Sequence, residues 1–118
     1  MNPITRYSTT RLPVRPGEKR TFIADFRDDL ASSETLSGSE SASCSVGSPL
    51  IENVDINAAE VTDSANHTTG VGKGVVFTIS NLFADDDGSD RQYPVEVTAT
   101  TSAGQILKMV CPVVATLR

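Results

Sequence analysis

The chain has 118 residues, the length of one domain, and folding at this size takes about two thirds of the unfolded surface out of water, enough for one core without staples. Trp is absent and Phe occurs four times, so the interior has to come from Val, Ile, Leu, Ala and Phe, a mixture that favours packed strands and an all-β fold. The net charge of −5 is split along the chain: residues 1–20 carry five bases against Glu18 alone, a net of +4, and the remainder carries five bases against fourteen acids, a net of −9.

Residues 1–18 read as an extended basic arm. Pro13 and Pro16 hold the backbone out, and a basic leader on an acidic body points to docking on an acidic surface, the alternative being a solvated tail. Its candidate partner-binding residues are Arg6, Tyr7, Arg11, Leu12, Val14 and Arg15, with Arg20 just beyond. The first residues carry neither the apolar run nor the small-residue cleavage site of a secretory signal, and no stretch is long enough to span a bilayer; the expectation is a product made in the cytoplasm.

From Lys19 onward the pattern is one of short alternating runs separated by Gly, Pro, Asn and Asp. Lys19–Phe26 is a predicted strand with Phe22, Ala24 and Phe26 on its core face, followed by a turn over Asp28–Ser33. Ser39–Val46 places Ala42, Cys44 and Val46 inward with serines opposite, and Gly47-Ser48-Pro49 ends it. Leu50–Ile56 is a weaker strand, Ala59–Asp63 a further one near the sheet edge, and 66–74 a polar, Gly-rich loop. Gly74–Leu82, with Val75, Phe77 and Ile79, is a strand; Asn81–Asp90 is an acidic loop. Tyr93–Thr101 alternates most cleanly, with Tyr93, Val95, Val97 and Ala99 on one face. Ser102-Ala103-Gly104 turns it, and Gln105–Ala115 returns as the last strand, where Pro112 points to an edge or a bulge.

About seven or eight strands at this spacing fit an immunoglobulin-like β-sandwich over residues 19–118, preceded by the arm. Tyr93, at the start of an inward strand after a polar loop, resembles the tyrosine corner of such domains, and Val95 then stands where antibody domains carry their second inter-sheet Cys. The segment Thr21-Phe22-Ile23-Ala24-Asp25-Phe26, continued by Arg27-Asp28-Asp29-Leu30-Ala31-Ser32-Ser33-Glu34-Thr35-Leu36, resembles one found in small immunoglobulin-like virion proteins of tailed bacteriophages. Phe22, Phe26, Asp29, Leu30, Ala31, Thr35 and Leu36 match that pattern; Leu30 stands directly after Asp29 where the family usually has Trp, and Ser33 where it usually has Gly. The final Thr-Thr-Ser-Ala-Gly hairpin, 100–104, also fits.

Other features carry less chemistry. Cys44 and Cys111 both fall on core faces. A bridge needs their strands to be neighbours; two buried thiols are the favoured reading. There is no Cys-x-x-Cys spacing and one His, His67, with no nucleophile beside it, so neither metal nor cofactor is expected and the chain does not read as an enzyme. Asn66-His67-Thr68 matches a glycosylation acceptor without a secretory signal to use it. Asp85–Asp90 has the wrong spacing for a calcium loop, and Gly70-Val71-Gly72-Lys73-Gly74 precedes a strand where a phosphate loop needs a helix. Nucleic acid is disfavoured as a partner by the acidic body.

The resemblance implies a non-enzymatic virion structural protein. The first expectation is a capsid decoration or cement protein that binds the major capsid protein and neighbouring copies through its arm. The alternatives are a neck, tail or fibre-attachment component, or a module that binds a host-surface carbohydrate. Phe22, Phe26, Leu30, Cys44, Phe77, Tyr93, Val95 and Cys111 are the expected core.

Overall fold

The computed structural model describes residues 5–7, 12–62, 66, 68–83 and 90–116, with backbone alone for Thr5–Tyr7, Leu12 and Pro13. The described chain is all-β, with one short 3-10 turn and no α-helix. In chain order the strands are β1 (Thr5–Tyr7), β2 (Leu12–Val14), β3 (Arg20–Asp25), β4 (Leu36–Cys44), β5 (Leu50–Ile56), β6 (Val61–Thr62), β7 (Thr68–Thr69), β8 (Gly74–Ser80), β9 (Arg91–Thr101) and β10 (Ile106–Ala115); the 3-10 turn, Arg27–Asp29, follows β3. They form two four-stranded sheets, ordered β1-β3-β8-β5 and β2-β10-β9-β4, and β6 pairs with β7. The pairs β1–β3 and β2–β10 are parallel and the others antiparallel.

Alternation decides what each strand buries, because successive side chains point to opposite faces. Phe22 and Ala24 from β3, Val75, Phe77 and Ile79 from β8, Tyr93, Val95, Val97 and Ala99 from β9, and Cys111, Val113 and Ala115 from β10 form a single apolar cluster shared by both sheets. Phe22 and Phe77 are register partners, their ring centroids 6.0 Å apart. Phe26 and Leu36 close the cluster, with Leu30, Ala42, Cys44 and Val46 packed against it. The expected core residues are thus all in or against the core.

The two cysteines answer the question of a bridge. Val95 on β9 faces Cys44 of β4 on one side and Cys111 of β10 on the other, so a whole strand separates the thiols. Two strand spacings come to about 9.5 Å, whereas a disulfide needs Cα atoms within about 7 Å. Both thiols are free, and burial pushes that of Cys111 up to about 12.

Several boundaries differ from those read off the sequence. β4 begins at Leu36, not Ser39, because the register shifts twice before Ser41 and Ser39 takes φ +54°, a break that disguises the period. Within the predicted Ala59–Asp63, Ala59 and Glu60 precede the strand, which begins at Val61 and pairs through Val61–Thr62 with Thr68–Thr69, inside the stretch expected to be loop; Asp63 lies outside the described residues. The boundary between arm and domain moves as well. β2 lies on β10, the Thr116 N–H donates to the Val14 carbonyl at 2.9 Å, and the Val14 side chain is buried in the common core. Val14, expected to fill a groove on a partner, is filled into its own domain.

Proline placement follows from the same ladder. Pro94 stands opposite Pro112 in the β9–β10 pair; the last β4–β9 pair is Cys44↔Val95 and the first β2–β10 pair is Val113↔Leu12. Among the described residues each proline therefore falls just beyond the pairing with its outer neighbour strand, where the missing N–H removes no ladder bond.

Candidate functional site

The expected site was the basic segment at the N-terminus. Arg11 lies outside the described residues, as do the side chains of Arg6, Tyr7 and Leu12; the backbones of Arg6 and Tyr7 pair with Ile23 and Ala24. Arg15-Pro16-Gly17-Glu18 is a tight turn: the Glu18 N–H donates to the Arg15 carbonyl at 3.0 Å, the Arg15 N–H to the Glu18 carboxylate at 2.7 Å, and Gly17 takes φ +87°. Proline followed by a glycine at positive φ is the arrangement this turn requires. Arg20 opens β3, half-buried, with its guanidinium 3.7 Å from Glu18. Arg15 and Arg20 are thereby held near one reversal of the chain, and Val14 is withdrawn into the core.

At the opposite end three connections are laced together: β3–β4, β5–β8 and β9–β10. The Leu36 N–H donates to the Gly72 carbonyl at 2.8 Å and the Ser102 N–H to the Thr35 carbonyl at 2.7 Å. The Lys73 ammonium donates to the carbonyls of Ala31 (3.4 Å), Ser32 (3.1 Å) and Glu34. Gly72 is required there, since a Cβ would sit 3.2 Å from Thr35 and the backbone is at φ +74°. The Gly70–Gly74 sequence, which looked superficially like a phosphate loop, therefore has its lysine committed to backbone oxygens and runs into β8.

Buried polar side chains hold the β5–β8 connection from beneath. Asn57 donates through Nδ2 to the carbonyls of Gly70 (2.8 Å) and Ala59 (3.1 Å) and accepts at Oδ1 from the Gly74 N–H at 3.0 Å. The buried Asp25 carboxylate accepts from the Thr69 hydroxyl and the Arg27 N–H, both at 2.9 Å, with the Arg27 guanidinium 3.5 Å away. Sequence reasoning passed over this framework because Asn57, Asp25 and Thr69 are far apart in the chain; the Gly-rich run beside Asn66 was the one local sign of it.

This end carries a depression of about 450 Å³ lined by Ala31, Ser33, Glu34, Ser102, Ala103 and Gln105. A second, of about 510 Å³, lies along β5 and β6 between Asp55–Ala59, Val61 and Val76. The first is lined by the hydroxyls of Ser33 and Ser102, the Gln105 amide and the Glu34 carboxylate, the second by aliphatic side chains with Asp55 and Asn57. Among the described residues no three of His, Cys, Asp and Glu come together in a way that could hold a metal ion. His67 and Asp85–Ser89 lie outside the described residues.

At the other end Tyr93 anchors the approach to β9. Its hydroxyl donates to the Phe83 carbonyl at 3.0 Å and accepts from the Phe83 N–H at 3.2 Å, and the Arg91 guanidinium lies 5.4 Å from its ring centre. Gly47 makes room: a Cβ there would come within 2.7 Å of the Tyr93 ring. Comparison with protein-family models, with curated proteins and with solved structures finds no match to this chain.

Proposed function

We propose that the chain is a non-enzymatic structural protein of a bacteriophage virion, built as an immunoglobulin-like sandwich and acting first of all as a capsid decoration or cement protein. The observation that carries the reading is how the segment of family resemblance is used. Arg20–Leu36 forms strand, 3-10 turn and the start of the next strand, and its matching residues Phe22, Phe26, Leu30 and Leu36 all serve the core. The sheet orders support the reading, a four-stranded ABED-like sheet facing CFG with β2 beside the last strand, although β1 runs parallel to β3 where strands A and B of such domains are antiparallel. The Tyr93–Phe83 pair supports the tyrosine-corner reading.

Attachment is assigned to the residues upstream of β2, where Arg6 and Arg11 would pair with acidic groups on the shell and Tyr7 would be buried on contact. The neighbouring turn adds Arg15 and Arg20. Val14 and β2 stay with the domain and β1 is paired with β3, so the informative variant keeps the backbone and replaces Arg6, Tyr7 and Arg11 by Ala. That variant should keep a cooperative unfolding transition and lose co-sedimentation with purified shells; undiminished binding would refute the attachment mechanism. A neck, tail or fibre position is the second virion reading, and copy number separates it from the shell. Loop-mediated binding of a host-surface carbohydrate is favoured by one feature, the 450 Å³ depression among three laced loops. Glycan-array binding abolished by Gln105→Ala would support it.

A further inference from the structure

We infer that the upper part of the β10 edge is a docking edge for a second copy of this chain, joined through a two-fold axis at Lys108. β10 runs for ten residues, but β2 covers its outer side at Val113–Ala115 alone. Among the described residues nothing pairs with Ile106–Pro112 on the side away from β9. The direction of the free groups can be read from the ladder. The Thr116 N–H points to β2, and the Thr101 N–H meets the Gln105 carbonyl across the hairpin, so even-numbered residues of β10 turn their amides outward and odd-numbered ones toward β9. Ile106, Lys108 and Val110 therefore present free N–H and C=O groups. Pro112, lacking the N–H, closes the row.

The occupant follows from symmetry. Ile106-Leu107-Lys108-Met109-Val110 reads as an apolar pattern mirrored about Lys108. Antiparallel pairing about that residue sets Ile106 opposite Val110 of the second copy, and the three outward residues of each chain close about six hydrogen bonds. Ile106 is 73% exposed and Val110 49% exposed, so both have apolar surface to lose to water. Leu107 and Met109, packed against the core, would meet across the axis on the inner face. A lysine on an edge normally guards it against such pairing. Here the Lys108 ammonium is 3.2 Å from Glu96, a diagonal neighbour on the adjacent strand whose register partner is Val110, and that contact reduces the repulsion between the two lysines.

The inference stands apart from the virion reading; a strict monomer would leave that reading as it was. The test is sedimentation equilibrium of the full chain at rising concentration, with two variants checked for folding by circular dichroism. Val110→Pro removes an outward N–H that makes no bond among the described residues, and Ile106→Lys places charge in the apolar contact. The expected result is a monomer–dimer equilibrium weakened about tenfold or more by each. A dimer indifferent to both variants, or a monomer at every concentration up to about 1 mM, would overturn it.

Discussion

Replacing Asn57 by Ala removes the side chain that fixes the β5–β8 connection to the sheet. Asn57 is buried, and its amide makes good bonds to two carbonyls and to the Gly74 N–H, which is itself buried. Each of the three lost bonds is worth about 1 kcal/mol net, and the buried Gly74 amide left without a partner brings the total up by about 1 kcal/mol at most where water reaches it. The expected loss is about 3–4 kcal/mol, a large part of the stability of a domain this size. With a urea m-value of about 1.5 kcal/mol/M the midpoint falls by about 2 M. Asn57→Asp is the control: it keeps the acceptor for Gly74 but sets a carboxylate against carbonyl oxygens. It should be at least as damaging at neutral pH. Burial raises that carboxyl's pKa in the folded state, so the folded protein takes up the proton first and part of the stability returns as pH falls. Chemical denaturation followed by tryptophan-free far-ultraviolet dichroism reads both variants. A loss under about 1 kcal/mol for Asn57→Ala would show that the connection is held by something else.

Tyr93→Phe should cost about 1–3 kcal/mol by orphaning the Phe83 amide and carbonyl, and a variant as stable as the parent would remove the anchoring role from the hydroxyl. Lys73→Met takes the ammonium from three carbonyls; amide exchange should quicken at 31–36 and 70–73 while the β9–β10 ladder stays protected. Because the Cys111 thiol is raised to about 12 by burial, the folded state keeps its proton while the unfolded state loses it above about 9. Stability should thus decline between those values by up to about 1.4 kcal/mol per pH unit. Cys111→Ala should flatten that slope, and an unchanged slope would contradict the burial. Reductant should leave the melting temperature where it is, since no bridge joins Cys44 and Cys111.

Where the period was unbroken, residues alone located the structure: β3, β8, β9 and β10 follow as strands, and the core faces of β3, β8 and β9 follow from alternating Phe, Val, Ile and Ala, while Ile23 and Asp25 on the opposite face of β3 are buried as well. β4 was mislocated because Gly38 and the positive φ of Ser39 interrupt its alternation before Ser41. The arm was overextended because Leu12-Pro13-Val14 pairs with residues about a hundred positions away, and nothing local distinguishes a parallel partner strand from a free proline-bearing segment. The laced loops depend on contacts such as Lys73 to Ser32 and Thr69 to Asp25, which come into being when the sheets assemble. Pro112, read as the sign of an edge or a bulge, lies in a strand flanked by β2 and β9, at the residue just before the described β2 pairing begins.

The central proposal, a structural role on a bacteriophage virion, is tested most directly by the copy number of this chain in phage particles purified from cells that produce it. Quantitative mass spectrometry against the major shell protein provides it. The account expects on the order of hundreds of copies per particle, as shell symmetry demands of a decoration protein; complete absence from the particle would contradict it.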